Sequence, residues 1–308
     1  MQSAQIRIGT RGSPLALAQA EEVRRRLIAA HELGPDAVAI VPIRTTGDRI
    51  TDRPLAEAGG KGLFTKEIDE ALIAAAVDLA VHSAKDLPTR LADGIAIAAC
   101  LPRADVRDAF ISPVAKTLGD LPRGAVLGTS SLRRQAMALR RRPDLTIVNL
   151  RGNVETRLRR ISEGVAHATL LAAAGLTRLG LMSHAASLID PDEWLPAVGQ
   201  GIIVVTARSG DSTTAARLAA IDDRDSSLAL LTERAFLDVL DGSCRTPIGG
   251  LARVDASDVW FRGIIVAPDG SRAHATERRG SVADAARLGA DAGAELHARG
   301  GPAFFHGA

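Results

Sequence analysis

The stretch Asp78-Leu-Ala-Val-His-Ser-Ala-Lys-Asp-Leu-Pro88 decides how this chain is read. Leu79 to Val81 is a short apolar run of the length of a buried strand. It ends in a polar turn carrying His82, Ser83, Lys85 and Asp86, and Pro88 stops it. In an open α/β sheet, ligands bind beyond the carboxyl ends of the strands, which is where this cluster falls. A carboxylate beside an ammonium there can steady positive charge while the ammonium grips an anion. The same residues also suit a plain surface turn with a local ion pair. The rest of the chain has to choose between the two.

Immediately upstream, Arg44 to Leu63 is long, polar and glycine-rich and ends Gly59-Gly-Lys-Gly-Leu-Phe64, which reads as a lid carrying Lys61. Gly-Gly-Lys-Gly lacks the Gly-Lys-Ser/Thr ending of a phosphate-binding loop. Thr65 then caps a helix with Ile68, Leu72 and Ala75/Ala76 on its buried stripe. Further back, Ile6-Arg-Ile-Gly-Thr-Arg-Gly-Ser13 is a strand entering a glycine turn. Ser13 suits an N-cap and Pro14 the first helical position, so a helix is expected to about Ile28, with Arg11 beside an anion-attracting helix start. Ala37–Ile43 and Ile95–Leu101 are further strands.

After a crossover at 102–106, Ala125-Val-Leu-Gly-Thr-Ser-Ser-Leu-Arg-Arg-Gln135 repeats the plan of the N-terminus, with Gly128-Thr129 standing for Gly9-Thr10. Thr129, Ser130 and Ser131 supply small hydroxyls, and Arg133 and Arg134 follow. Leu145–Leu150 is a strand, Arg151 and Arg157 flank the next helix start, Ala168–Ala172 is another strand, and Arg178 follows its helix. Leu195-Pro-Ala-Val-Gly-Gln-Gly201 is a second crossover, leading into the apolar run Ile202–Val205. Two crossovers between similar α/β lobes describe a two-lobed clamp with a ligand cleft. From Asp222 the pattern becomes a helix (Ser226 to Leu240), three alternating segments (248–254, 259–266, 272–279) and a final helix at 282–297, a small α+β domain with a three-stranded antiparallel sheet. The expected domains are 1–101 with 200–220, then 106–195, then 222–308.

Composition narrows the class. The chain has 308 residues, and 46% hydrophobic content supplies real cores, but aromatics are 3% and tyrosine is absent, so those cores are aliphatic. A net charge of +2, from 38 basic and 36 acidic residues, argues against a nucleic-acid binder. No apolar signal core or membrane-length run is present, and a cytoplasmic protein without membrane contact is expected. Cys100 and Cys244 lie far apart, with no zinc-type spacing, so neither a disulfide framework nor a metal site is expected. Cys100 sits in an apolar strand. Cys244 follows Gly242-Ser243 and precedes Arg245, a loop in which a cation favours the thiolate. Arginines at several strand ends imply a ligand with many acidic groups.

Ile8-Gly-Thr-Arg11 with Ser13-Pro-Leu, Lys61-Gly-Leu-Phe64, Val81-His-Ser-Ala-Lys-Asp86, Gly128-Thr-Ser-Ser-Leu-Arg-Arg134, Leu150-Arg-Gly-Asn-Val154, Pro196-Ala-Val-Gly-Gln-Gly201 and Cys244 occur in family order. Together they resemble the hydroxymethylbilane synthase (porphobilinogen deaminase) family over nearly the whole chain. The resemblance implies two lobes like those of periplasmic binding proteins and a C-terminal cofactor-attachment domain. It implies a monomeric transferase of haem biosynthesis that joins four porphobilinogen units head to tail, releases ammonia at each step, and frees hydroxymethylbilane with water. A dipyrromethane primer on a thioether to Cys244 would be extended, and the acetate and propionate arms of the pyrroles would account for the cations. Asp86 matches the catalytic aspartate. Ser83, Lys85, Thr129, Ser130, Ser131, Arg133, Arg134, Arg151 and Arg157 match primer-binding positions. Arg11, Ser13, Lys61, Arg178 and Gln200 match positions that handle the incoming unit or the growing chain. Glu57 departs from a lysine found in some members, and Ser243-Cys244-Arg245 departs from the usual surroundings of the cysteine. A non-catalytic two-lobed binding protein for an anionic metabolite is the alternative.

Overall fold

In the computed structural model, which describes residues 6–49, 62–240, 247–301 and 304, the apolar runs pair into three sheets. The chain packs as two units, Met1–Ala104 with Gly201–Ser227 and Asp105–Gln200 with Leu228–Ala308.

The first unit is built on the sheet β2-β1-β3-β10-β4. Its strands are β1 (Ile6–Arg11), β2 (Val38–Ile43), β3 (Leu79–Ser83), β4 (Ile95–Cys100) and β10 (Ile203–Arg208). β1 runs parallel to β2 and β3, whereas β10 is antiparallel to β3 and β4. Ile8, Leu79, Val81, Ile203 and Val205 share one buried cluster with Ala20, Val23 and Leu27, the inner stripe of helix α1 (Pro14–Ala30). The helix begins as its sequence dictates: the Ser13 hydroxyl accepts the Ala16 N–H at 3.3 Å, and Pro14 takes the first helical position. Two short helices, α2 (Thr46–Arg49) and α3 (Lys66–Ile73), stand at the described ends of the long polar segment, and α7 (Ser212–Ala219) packs on β4 and β10. α2 gives the segment expected to act as a lid a helical turn at its start, while 50–61 lie outside the described residues, and α7 has too little apolar content to stand out in the sequence.

The second unit repeats the plan in the sheet β7-β6-β8-β5-β9. It comprises β5 (Asp108–Ile111), β6 (Val126–Gly128), β7 (Thr146–Val148), β8 (Ala168–Ala172) and β9 (Ser187–Leu188), with helices α4 (Leu132–Arg141), α5 (Val154–Ser162) and α6 (Ala173–Arg178). β6 is parallel to β7 and β8, and β5 is antiparallel to β8 and β9. The repeat seen between Gly9-Thr10 and Gly128-Thr129 is thus a repeat of whole sheets. The antiparallel place held by the returning strand β10 in the first sheet is held by the arriving strand β5 in the second. The sequence reading missed β5, because four residues are too few to show a period. At the return crossover Gly201 has φ +92, and a Cβ there would lie 2.5 Å from the Ala104 carbonyl oxygen, so only glycine lets the two crossing segments pass.

The third sheet is β11 (Ile248–Asp255), β12 (Asp258–Val266) and β13 (Ala273–Ser281), all antiparallel. It is covered by α8 (Arg224–Val239) and α9 (Ala285–Gly300), with Phe236 and Phe261 ring centroids 4.9 Å apart between them. Val266, at the end of β12, is buried in the same cluster as Phe110, Met137 and Trp194 of the second sheet's core. The last helix starts three residues later than the sequence indicates, because Val282–Asp284 forms a 3-10 turn.

Candidate active site

In the first unit the reactive-looking residues gather where two neighbouring parallel strands end. After β3, Ala84–Asp86 makes one 3-10 turn; buried Ala84 is pinned by its N–H to the Ile202 carbonyl at 3.0 Å, which leaves Lys85 and Asp86 exposed. After β1, Arg11 and Ser13 line the same small pocket, of about 40 Å³, as Ser83 and Asp86. Ser83 is held by Gln19, whose Nε2 donates to its hydroxyl at 2.8 Å. The Arg11 guanidinium lies over the Phe64 ring, 4.2 Å from the centroid. His82 is buried behind this wall, with Nε2 3.3 Å from the Thr206 hydroxyl. Burial, and secondarily the Arg11 charge, lower its pKa from 6.5 to about 4, so the imidazole is neutral.

In the second unit the hydroxyl-rich turn folds as a helix cap. The Ser131 hydroxyl accepts the Arg134 N–H at 3.4 Å, and the Ser131 N–H donates to buried Thr129 at 3.1 Å, while Ser130 is exposed. Arg151 follows the adjacent parallel strand β7 and is half-buried. There Gly152 has φ +117, and a Cβ would strike Thr156 at 2.7 Å, so glycine is needed to start α5, with Asn153 as its cap. Arg157 donates from Nε to the Gly152 carbonyl at 2.8 Å, and Arg178 is half-buried at the end of α6.

Arg133, Arg134 and Gln200 are buried together around Asp108, which is itself 1% exposed. Its Oδ2 accepts Arg133 Nη2 at 2.7 Å and Trp194 Nε1 at 2.8 Å. Its Oδ1 accepts Arg134 Nη2 at 2.7 Å and Gln200 Nε2 at 2.9 Å. Burial alone would raise the Asp108 pKa, but the two guanidiniums outweigh it and hold the carboxyl far below the usual range. Burial lowers the Arg133 pKa against the pull of Asp108. Lys61 and Cys244, together with Glu57, Ser243 and Arg245, lie outside the described residues.

Sequence reasoning passed over Asp108, Trp194 and Gln19, and gave Phe64 no role beyond its place in a motif. Asp108 opens an apolar triplet directly after a crossover, a place where a carboxylate has to be satisfied by something cationic. Gln19 falls on the buried side of α1 with Ala16 and Val23, a polar residue in an apolar stripe. Those two signals were available.

Comparison with known proteins decides what this arrangement belongs to. Residues 6–216 match the family model for the porphobilinogen deaminase dipyrromethane cofactor-binding domain, and residues 227–298 match that for the porphobilinogen deaminase C-terminal domain. The chain belongs to the porphobilinogen deaminase family. It is 60% identical over 298 residues to the porphobilinogen deaminase of Nitrobacter winogradskyi, covering 97% of this chain and 94% of that one. It is 54% identical over 310 residues to the chloroplastic porphobilinogen deaminase of Pisum sativum, covering 99% and 84%. Among solved structures it is similar to a nutrient-binding protein from Burkholderia cenocepacia bound to methionine, with TM-score 0.44, 16% identity, and 72% and 93% of the two chains covered. The family activity is that of a transferase of tetrapyrrole biosynthesis, hydroxymethylbilane synthase, with a domain for a dipyrromethane cofactor. Among the described residues no helix is long and apolar enough to cross a membrane.

The residues fit a cofactor rich in carboxylates. Around Asp108 two guanidinium charges face one carboxylate, so the cluster carries one positive charge in excess. Among the described residues, Arg133 Nε and Arg134 Nε are buried without a hydrogen-bond partner. Two oriented donors and a surplus cation suit a further anionic acceptor.

Proposed function

We propose that Asp86 is the catalytic carboxylate of porphobilinogen condensation. What carries the reading is its position, exposed beyond the end of β3 in the pocket that Arg11, Ser13 and Ser83 share. A porphobilinogen pyrrole whose acetate or propionate is held by Arg11 and Ser13 presents its ring N–H and aminomethyl carbon to such a carboxylate. As the C–N bond breaks and ammonia leaves, positive charge spreads over the pyrrole, and a fixed anion beside it lowers the barrier. Gln19 keeps the Ser83 hydroxyl directed, and the neutral His82 adds no competing charge to the wall.

The dipyrromethane, when bound, supplies the growing end to which new units are joined. Cys244 is the attachment residue in this reading, and Lys85, Thr129, Ser130, Ser131, Arg133, Arg134, Arg151 and Arg157 hold its carboxylates. Lys61, Arg178 and Gln200 handle the incoming unit and the lengthening chain. The domains are 1–101 with 200–220, 106–195 and 222–308. The protein acts as a cytoplasmic monomer, and a reducing compartment suits an attachment that begins from a free thiol. Intact mass of the purified protein is the test: a covalent adduct of two pyrrole units supports the enzyme, and an unmodified mass favours a non-catalytic binding protein for an anionic metabolite.

A further inference from the structure

We infer that Asp108 is the positioning residue for Arg133 and Arg134, and that through Gln200 it ties their aim to the return crossover at 195–201. The inference rests on the reading above, in which these arginines hold primer carboxylates. A guanidinium is a rigid planar fork, so fixing its two Nη atoms fixes the direction of its Nε–H. Both forks are fixed in this way. Arg133 donates from Nη1 to the Leu195 carbonyl at 2.9 Å and from Nη2 to Asp108 at 2.7 Å. Arg134 donates from Nη1 to the Leu170 carbonyl at 2.8 Å and from Nη2 to Asp108 at 2.7 Å. Asp108 is the anchor common to both, and its charge offsets the repulsion between two buried like charges.

The anchor is in turn held by the crossover. Gln200 is fully buried and donates from Nε2 to the Val106 carbonyl at 2.8 Å as well as to Asp108. Its neighbour Gly199 donates its N–H to Glu233 of α8 at 2.6 Å, and the other Glu233 oxygen accepts the Ala252 N–H at 2.7 Å. α8 is the helix that leads to the segment carrying Cys244. Hydrogen bonds from two adjacent crossover residues, Gly199 to that helix and Gln200 to Asp108, therefore connect the helix to the carboxylate that aims the arginines. Besides its part in handling the lengthening chain, Gln200 acts here by holding Asp108.

The test compares wild-type protein with Asp108→Asn, Asp108→Glu and, as a control, Asp144→Asn, which breaks an ion pair with Arg142 elsewhere in the same lobe. Folded protein is isolated by size, its melting temperature recorded, and primer occupancy per folded molecule read from intact mass. A positioning role predicts that Asp108→Asn lowers occupancy about tenfold or more in molecules that fold, because the amide removes the charge and turns an N–H towards donors. Asp108→Glu keeps the charge but displaces it, and should fold with intermediate occupancy. Asp144→Asn should stay fully loaded. Full occupancy in the folded fraction of Asp108→Asn overturns the inference. So does failure of both Asp108 variants to accumulate as folded protein, which makes the residue purely structural. If the wild type itself carries no adduct, the underlying reading fails first, and the inference falls with it.

Discussion

The Arg11 guanidinium rests on the face of the Phe64 ring, 4.2 Å from its centroid. Phe64 closes the motif Lys61-Gly-Leu-Phe64, and the preceding Leu63 carbonyl accepts the Gly47 N–H at 2.7 Å. The described end of the long polar segment is therefore seated against an arginine assigned to the incoming unit.

Cation–π contact at a partly exposed site contributes about 0.5–1 kcal/mol, so Phe64→Leu should raise KM for porphobilinogen about two- to fivefold with kcat nearly unchanged. Steady-state kinetics read this directly. An unchanged KM would show that Arg11 is oriented without the ring.

His82 supplies a pH signature of folding. Its pKa is about 4 in the folded chain against 6.5 ordinarily. Between those values the unfolded chain binds the extra proton, so stability falls as pH drops from about 6.5 to about 4, by at most roughly 3 kcal/mol. His82→Asn removes the titrating group, so urea denaturation across that range should show a shallower decline for the variant. Parallel declines would mean other groups carry the effect.

At the crossover, Gly201→Ala should cost about 1–3 kcal/mol, since alanine at φ +92 is strained and its Cβ meets the Ala104 carbonyl. Chemical denaturation measures it. A variant as stable as the wild type would show that the crossing segments can separate freely.

Most strands and helices were legible because α/β lobes place short apolar runs between glycine turns, as in Leu79–Val81 and Ile203–Val205. Legible too were the turns at strand ends that carry Asp86 and Thr129–Ser131. Two things were not. One is that Arg133 and Arg134 share a buried partner, Asp108, 25 and 26 positions away, which local sequence cannot pair with them. The exchange of β5 and β10 between equivalent places in the two sheets was hidden because pairing of distant strands leaves no mark on periodicity.

Cys244→Ser should fold and carry no primer, because a hydroxyl is a poor substitute for a thiolate nucleophile. Intact mass and the melting temperature report both halves of that expectation. A full-stoichiometry, acid-stable adduct on the variant would move the attachment to another residue.

The central claim is that the Asp86 carboxylate stabilises the cation formed as ammonia leaves. Single-turnover ammonia release at saturating porphobilinogen isolates that step. Asp86→Asn keeps the shape and removes the charge, so its rate should fall on the order of a hundredfold or more, roughly 3 kcal/mol. Asp86→Glu keeps the charge one methylene away and should retain more of the rate. Primer occupancy, measured on the same samples, separates slow chemistry from missing primer. A primer-loaded Asp86→Asn enzyme that releases ammonia near the wild-type rate would contradict the account.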